Sequence, residues 1–235
     1  MPLRLKTTIR RFSLEFLKLH QELLAIILTF AIVIFGYLAL MAPTSPPSEL
    51  QPFLSFILGV FMPLLLSLAG NFLIPKEIES GSIDFIRTRQ SMEKLWLFRT
   101  LGFFLLCAFA NAAIVLAANL IYGPLLPPVM MGTFLVPTLL FSGLTGITTG
   151  ITKNAYLGAG VGIALWLYLF LQPESLSYKL TFEDVVYYPF LEWLIYKDRF
   201  YMMPSLIPNR LVLGALSIFL LALCFLLYKR NLRFV

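Results

Sequence analysis

The sequence predicts an all-α integral membrane protein with six transmembrane helices, and three observations carry that prediction. First, only 13% of the 235 residues are charged, against roughly 25% in an ordinary soluble domain. Second, the shortage is concentrated. Six stretches contain no Asp, Glu, Lys or Arg: 23–40, 53–74, 101–122, 129–151, 156–171 and 211–228. They cover 119 residues, so the other 116 hold all 30 charges, a density normal for polypeptide in water. Third, the stretches are continuously apolar rather than alternating with period two, which favours helices over a transmembrane barrel. This split excludes a single soluble globule, a disordered chain and a disulfide-stapled domain.

A bilayer core about 30 Å thick needs ~20 apolar residues at a rise of about 1.5 Å each. Five runs approach or exceed this; 156–171 is shorter and borrows Ala155 and Gln172. The fourth and fifth runs are separated only by Thr152-Lys153-Asn154-Ala155. One helix through both would be far longer than the membrane is thick, so a tight turn is expected there with Lys153 at the surface. The run at 23–40 follows a long polar lead and exceeds the ~7–15 apolar residues of a signal peptide, so it reads as a retained span. Cys107 and Cys224 lie inside apolar runs and read as small hydrophobes.

Lys and Arg near the span ends set orientation. Six spans put both termini on one side, which then holds fourteen basic residues: Arg4, Lys6, Arg10, Arg11 and Lys18; Lys76, Arg87, Arg89, Lys94 and Arg99; Lys153; Lys229, Arg230 and Arg233. The other side holds four: Lys179, Lys197, Arg199 and Arg210. Both termini are therefore expected in the cytoplasm, with the chain in the plasma (inner) membrane. The net charge of +6 divides the same way, +8 inside and −2 outside. It is a topological address, and no nucleic-acid partner is expected.

The connecting segments differ in character. In residues 1–22, Leu5, Ile9, Phe12, Phe16 and Leu19 recur at helical spacing with Arg4, Arg10, Arg11 and Lys18 interleaved. This reads as an interfacial amphipathic helix on membrane lipids; a basic flank that only satisfies the topology rule is the alternative. Residues 42–52 carry four prolines and are expected to form a stiff, irregular connector. The outer segment 172–210 is rich in aromatics, among them Tyr178, Tyr188, Phe190, Trp193 and Tyr201. Its aromatic side chains with polar tips suit the interface, so the segment is expected to dip into the outer leaflet; a small cap packed on the spans is the alternative. Residues 229–235 form a basic cytosolic tail.

The cytosolic segment 75–94 is the most informative. It balances four basic residues (Lys76, Arg87, Arg89, Lys94) against four acidic ones (Glu77, Glu79, Asp84, Glu93). A plain topology signal would be mostly Lys and Arg, whereas mixed signs suit a surface that meets another protein. Ser82 is placed to cap a short helix with Asp84 in its first turn, and Ile83, Phe85 and Ile86 offer an apolar edge. A solvated loop is the alternative.

The string Glu77-x-Glu79-x-Gly81-Ser82-Ile83-Asp84-Phe85-Ile86, followed by a polar turn and a helix near Arg99, resembles the membrane subunits of ABC-2 type exporters. The resemblance implies six spans, both termini inside, an interfacial first helix and an outer re-entrant segment between spans five and six. It also implies that 75–94 is a coupling segment docking an ATP-binding subunit through Glu77, Glu79, Gly81, Ile83, Asp84, Phe85, Ile86, Arg87 and Arg89. The proline that commonly follows the coupling helix in that family is absent from Arg87-Thr-Arg-Gln-Ser-Met, and Arg99 replaces a common lysine.

The chain has no Gly-x-x-x-x-Gly-Lys-Ser/Thr loop, so no cofactor is expected in it; ATP and magnesium would sit on the partner subunit. A second copy or a related permease chain would complete a path. No Asp, Glu, Lys, Arg or His lies in the six runs, which argues against an ion-coupled carrier. The single histidine, His20, lies in the lead, so no mid-membrane serine–histidine pair and no zinc set are expected, and the chain is not expected to be an enzyme. Two other classes stay open: a membrane scaffold without a path, and an intramembrane lipid-modifying enzyme using Glu77, Glu79 and Asp84. In the spans, Gly146-x-x-x-Gly150 and Gly158-x-x-x-Gly162 are expected to bring helices together; most of Asn71, Asn111, Asn119, Ser142, Thr145, Thr148 and Thr149 are expected to bond between helices, with lining a path as the alternative.

Overall fold

A computed structural model describes residues 21–71, 92–123, 135–176, 188–191, 195 and 204–231. The described residues are almost entirely helical, with no strand among them. In chain order they form α1 (Gln21–Met41), α2 (Pro47–Phe56), a π-helical stretch (Ile57–Phe61), α3 (Met62–Asn71), α4 (Met92–Tyr122), α5 (Leu135–Thr152), α6 (Ala155–Leu176) and α7 (Leu206–Asn231). α2, the π stretch and α3 run on as one rod.

Five of these segments are long and apolar enough to cross a membrane: Leu24–Met41, Ser48–Ala69, Arg99–Tyr122, Leu135–Thr152 and Leu206–Arg230. A shorter apolar helix covers Ala155–Leu171. The chain is built as a multi-pass membrane protein. Its outward surface agrees, since Ile32 is 73% exposed and Phe109 73% exposed, as lipid-facing side chains should be.

Helix ends depart from the ends of the apolar runs wherever backbone chemistry outweighs hydropathy. Residues 42–52 are not an irregular connector throughout. α1 closes with Ala42 and Ser45 N–H groups on the Leu38 and Met41 carbonyls, Pro46 is extended, and helix resumes at Pro47. Proline is tolerated at that first position because its missing N–H has no intrahelical partner anyway. α4 begins at Met92, well before residue 101, and at 31 residues it is about 46 Å long, more than a bilayer core requires. α6 extends to Leu176, and α7 starts at Leu206 rather than 211, so both ends of the 172–210 segment are helical.

The turn between α5 and α6 falls where the charged interruption predicts. Lys153 adopts φ 54°, and the Asn154 side-chain oxygen accepts the N–H groups of Tyr156 (2.9 Å) and Leu157 (3.1 Å), capping α6. Asparagine suits this cap; lysine in the left-handed region is strained.

α5 is the hub and packs most extensively on α7, then on α3 and α6. The α5–α7 contact is a backbone approach. A Cβ at Gly143 would lie 2.8 Å from Leu220 Cβ, and one at Gly146 would lie 2.7 Å from Cys224 Sγ. On the other side of α5, Thr145 fills the space that a side chain at Gly162 of α6 would need. Of the glycines expected to bring helices together, Gly146 does so against α7 and Gly162 against α5.

Two apolar clusters flank the second span. One joins α1 and α4 to Leu50, Leu54, Leu58, Met62 and Leu66. The other joins Val60 and Leu64 to Phe141, Trp166, Leu206 and the residues Tyr188, Phe190, Leu191 and Ile195. The second span is thus a wall with a core on each side.

Two substitutions check the α5–α6 turn. Asn154→Ala is expected to cost about 1 kcal/mol by removing the cap. Lys153→Gly is expected to gain about 0.5 kcal/mol, since relief of a ~1–2 kcal/mol left-handed penalty exceeds the ~0.5–1 kcal/mol entropy of glycine. Thermal unfolding in detergent reads both.

Candidate functional site

The predicted docking residues Glu77, Glu79, Gly81, Ile83, Asp84, Phe85, Ile86, Arg87 and Arg89 lie outside the described residues. What is described is how the flanking helices are held: α3 ends at Asn71, α4 starts at Met92, and Arg99 on α4 is 7% exposed.

The second span carries the clearest local departure. Leu50, Leu54, Leu58, Met62 and Leu66 recur every fourth residue, and each is at most 1% exposed. On a regular helix each step of four overshoots a full turn by about 40°, so four steps would drift about 160° and carry Leu66 to nearly the opposite face. The π stretch prevents this. Ile57 N–H is shared by the Phe53 and Leu54 carbonyls, and Met62 N–H reaches back five residues to the Ile57 carbonyl. The turn takes in one extra residue and returns the pattern to one face. Pro63 supplies the local cause: it has no N–H, and in a regular helix its ring would press on the Gly59 carbonyl.

A wide turn disturbs the ladder of carbonyl partners. The Val60 carbonyl accepts the indole N–H of Trp166 at 2.9 Å, a buried bond across 106 residues of chain. Trp166 sits in a ring cluster, with Phe170 stacked on it at 5.2 Å, Phe61 at 5.5 Å and Phe190 at 6.1 Å. Phe190 stacks on Phe141 at 5.8 Å and meets Tyr188 edge-on at 5.7 Å.

Tyr188 and Pro189 are held by the start of α7. Asn209 Nδ2 donates to the Tyr188 carbonyl at 2.9 Å, and Arg210 Nη1 donates to the Pro189 carbonyl at 3.1 Å. Tyr188 is 6% exposed and its hydroxyl has no hydrogen-bond partner among the described residues. Burial pushes this phenol well above its ordinary range, so it stays neutral.

Two of the hydroxyls expected to bond between helices, those of Thr145 and Thr148, turn back on their own helix, as does that of Ser217. Thr145 Oγ1 donates to the Phe141 carbonyl (2.8 Å), Thr148 Oγ1 to Leu144 (3.0 Å), and Ser217 Oγ to Leu213 (2.6 Å). This removes the donor without recruiting a neighbour. Among the described residues no three His, Cys, Asp or Glu gather as a metal set, and Cys107 and Cys224 are free and buried.

Mechanically, the arrangement ties the middle of the second span, through Trp166, to α6 and to Tyr188–Leu191. Sequence reading missed this joint, although Pro63 inside a span and the unbroken fourth-residue spacing were its traces. Neither the family models nor the curated proteins searched contain a match to this sequence.

Asn209→Ala removes the shorter of two donors to the Tyr188 carbonyl, leaving the Leu191 N–H at 3.4 Å, and is expected to cost about 1 kcal/mol. Tyr188→Phe removes a buried hydroxyl that has no partner among the described residues and is expected to be neutral or stabilising by up to ~1 kcal/mol. Equilibrium unfolding in mixed micelles separates the two.

Proposed function

We propose that the chain is the membrane subunit of an ABC exporter of the ABC-2 type, working with a separate ATP-binding subunit that docks on residues 75–94. One observation carries the reading: the mixed-charge segment 75–94, which contains the string Glu77-x-Glu79-x-Gly81-Ser82-Ile83-Asp84-Phe85-Ile86, joins the second and third long apolar helices. In this reading Glu77, Glu79 and Asp84 meet basic groups of the ATPase, while Ile83, Phe85 and Ile86 fill its groove. ATP and magnesium belong to that partner. The motion reaches the membrane through α3 and α4, which leave and re-enter the described fold at Asn71 and Met92.

The five long apolar helices support a six-span layout if Ala155–Leu171 crosses as the fifth span. An even number then puts the fourteen basic residues with both termini in the cytoplasm and leaves 172–210 outside as the re-entrant segment. A second copy or a related subunit completes the path.

Two experiments test the reading. With the ATP-binding subunit that co-purifies with the parent chain, Glu79→Lys with Asp84→Lys is expected to abolish co-purification and to lower chain-dependent ATPase activity at least tenfold; unchanged values, or a parent chain that captures no ATP-binding subunit, defeat the docking assignment. For topology, single cysteines at Ser13 and Asn154 are expected to react with an impermeant maleimide only from the cytosolic side, and those at Ser48 and Thr181 only from outside. Buried Cys107 and Cys224 should stay silent.

A further inference from the structure

The second span contains the elements of two helical registers. Its widened turn at Ile57–Phe61 holds Met62 and Leu66 in the first core cluster. Closing that turn to a regular α turn removes one residue from it, so each later site in space passes to the residue before. Met62 and Leu66 would yield their places to Phe61 and Leu65. Both are apolar and both are now 37% exposed, so a second apolar pair stands ready at the surface.

The local backbone permits the exchange. In the widened turn Met62 N–H bonds the Ile57 carbonyl, and in a regular turn it would bond that of Leu58. Pro63 has no N–H to give in either register, so its position forfeits no bond on closing. Gly59 is buried, yet a Cβ built on it meets nothing within 4 Å, which leaves room beside the turn. Two features hold the present register. The Pro63 ring disfavours a regular turn, and Trp166 occupies the Val60 carbonyl.

We propose that Ile57–Phe61 is a register switch, in which closing the wide turn rotates Met62–Asn71 by about 100° about its axis relative to α2. Trp166 is the latch. It stacks on Phe170 and meets Phe190, so rearrangement of the outer residues Tyr188–Leu191 and rotation of α3 are two ends of one coupled movement. The cytosolic end of α3 turns with it. The switch does not depend on which protein meets residues 72–91.

Paired spin labels on the full chain in lipid nanodiscs test it, with Cys107 and Cys224 replaced by alanine. One label goes on Leu65→Cys in α3 and the reference on Ile151→Cys in α5; a control pair uses Glu49→Cys in α2 with the same reference. Pro63→Ala with Trp166→Phe removes both restraints while keeping an aromatic ring. The parent is expected to give one Leu65 distance, and the double variant a distribution displaced by about 8 Å, the chord of such a rotation at the helix surface. The control distance stays put. A Leu65 distance that does not move, or one that moves together with the control, overturns the proposal. If the double variant does not yield monodisperse protein, Pro63→Ala alone decides: two resolved Leu65 distances support the switch and a single unchanged one overturns it.

Discussion

Inside hydrocarbon a backbone carbonyl without a donor has no water to turn to, and each such group costs several kcal/mol. The second span is organised around that constraint. It needs a wide turn because its core-facing residues repeat every fourth position and because Pro63 disturbs the ladder. The wide turn is buried, and Trp166 donates its indole N–H to the Val60 carbonyl within it. That bond ties α6 to the second span, and the rings around Trp166 bring in Phe190 and with it Tyr188.

The α5-centred half uses another economy. Where α5 meets α7, glycines replace side chains and the backbones close on Leu220 and Cys224, so association rests on close packing. The hydroxyls of Thr145, Thr148 and Ser217 bond carbonyls one turn back on their own helices. An interhelical hydrogen bond in a membrane averages only ~0.6 kcal/mol, because the separated helices find other partners. Little is therefore lost by keeping these hydroxyls at home.

The sequence made the helical class and the apolar helices legible because hydropathy is a sum over many residues and tolerates local error. Helix ends were less legible, because single residues decide them. Pro47 restarts a helix inside a proline-rich connector, and Leu206–Arg210 continue α7 outward because Asn209 and Arg210 have carbonyls to bond. Thr145 and Thr148 read correctly as polar groups needing partners, yet nothing in a one-dimensional pattern says whether the partner is across the interface or one turn back. Trp166 was illegible for a different reason: its acceptor lies 106 residues away in the chain. The segment at 77–89, expected to meet a partner, falls outside the described residues.

Helix α7 shows how one rod answers to several fields. Lys229 and Arg230 stand in its last turn, where the negative end of the helix dipole favours cations and where the basic bias of the sequence also wants them. At the other end Arg210 sits close to the positive end of the dipole, which opposes it. It has a structural task there, donating to the Pro189 carbonyl beside Asn209 on Tyr188. A charge that the dipole disfavours is thus one of the two side chains fastening Tyr188 and Pro189 to α7, and removing it would unfasten Pro189.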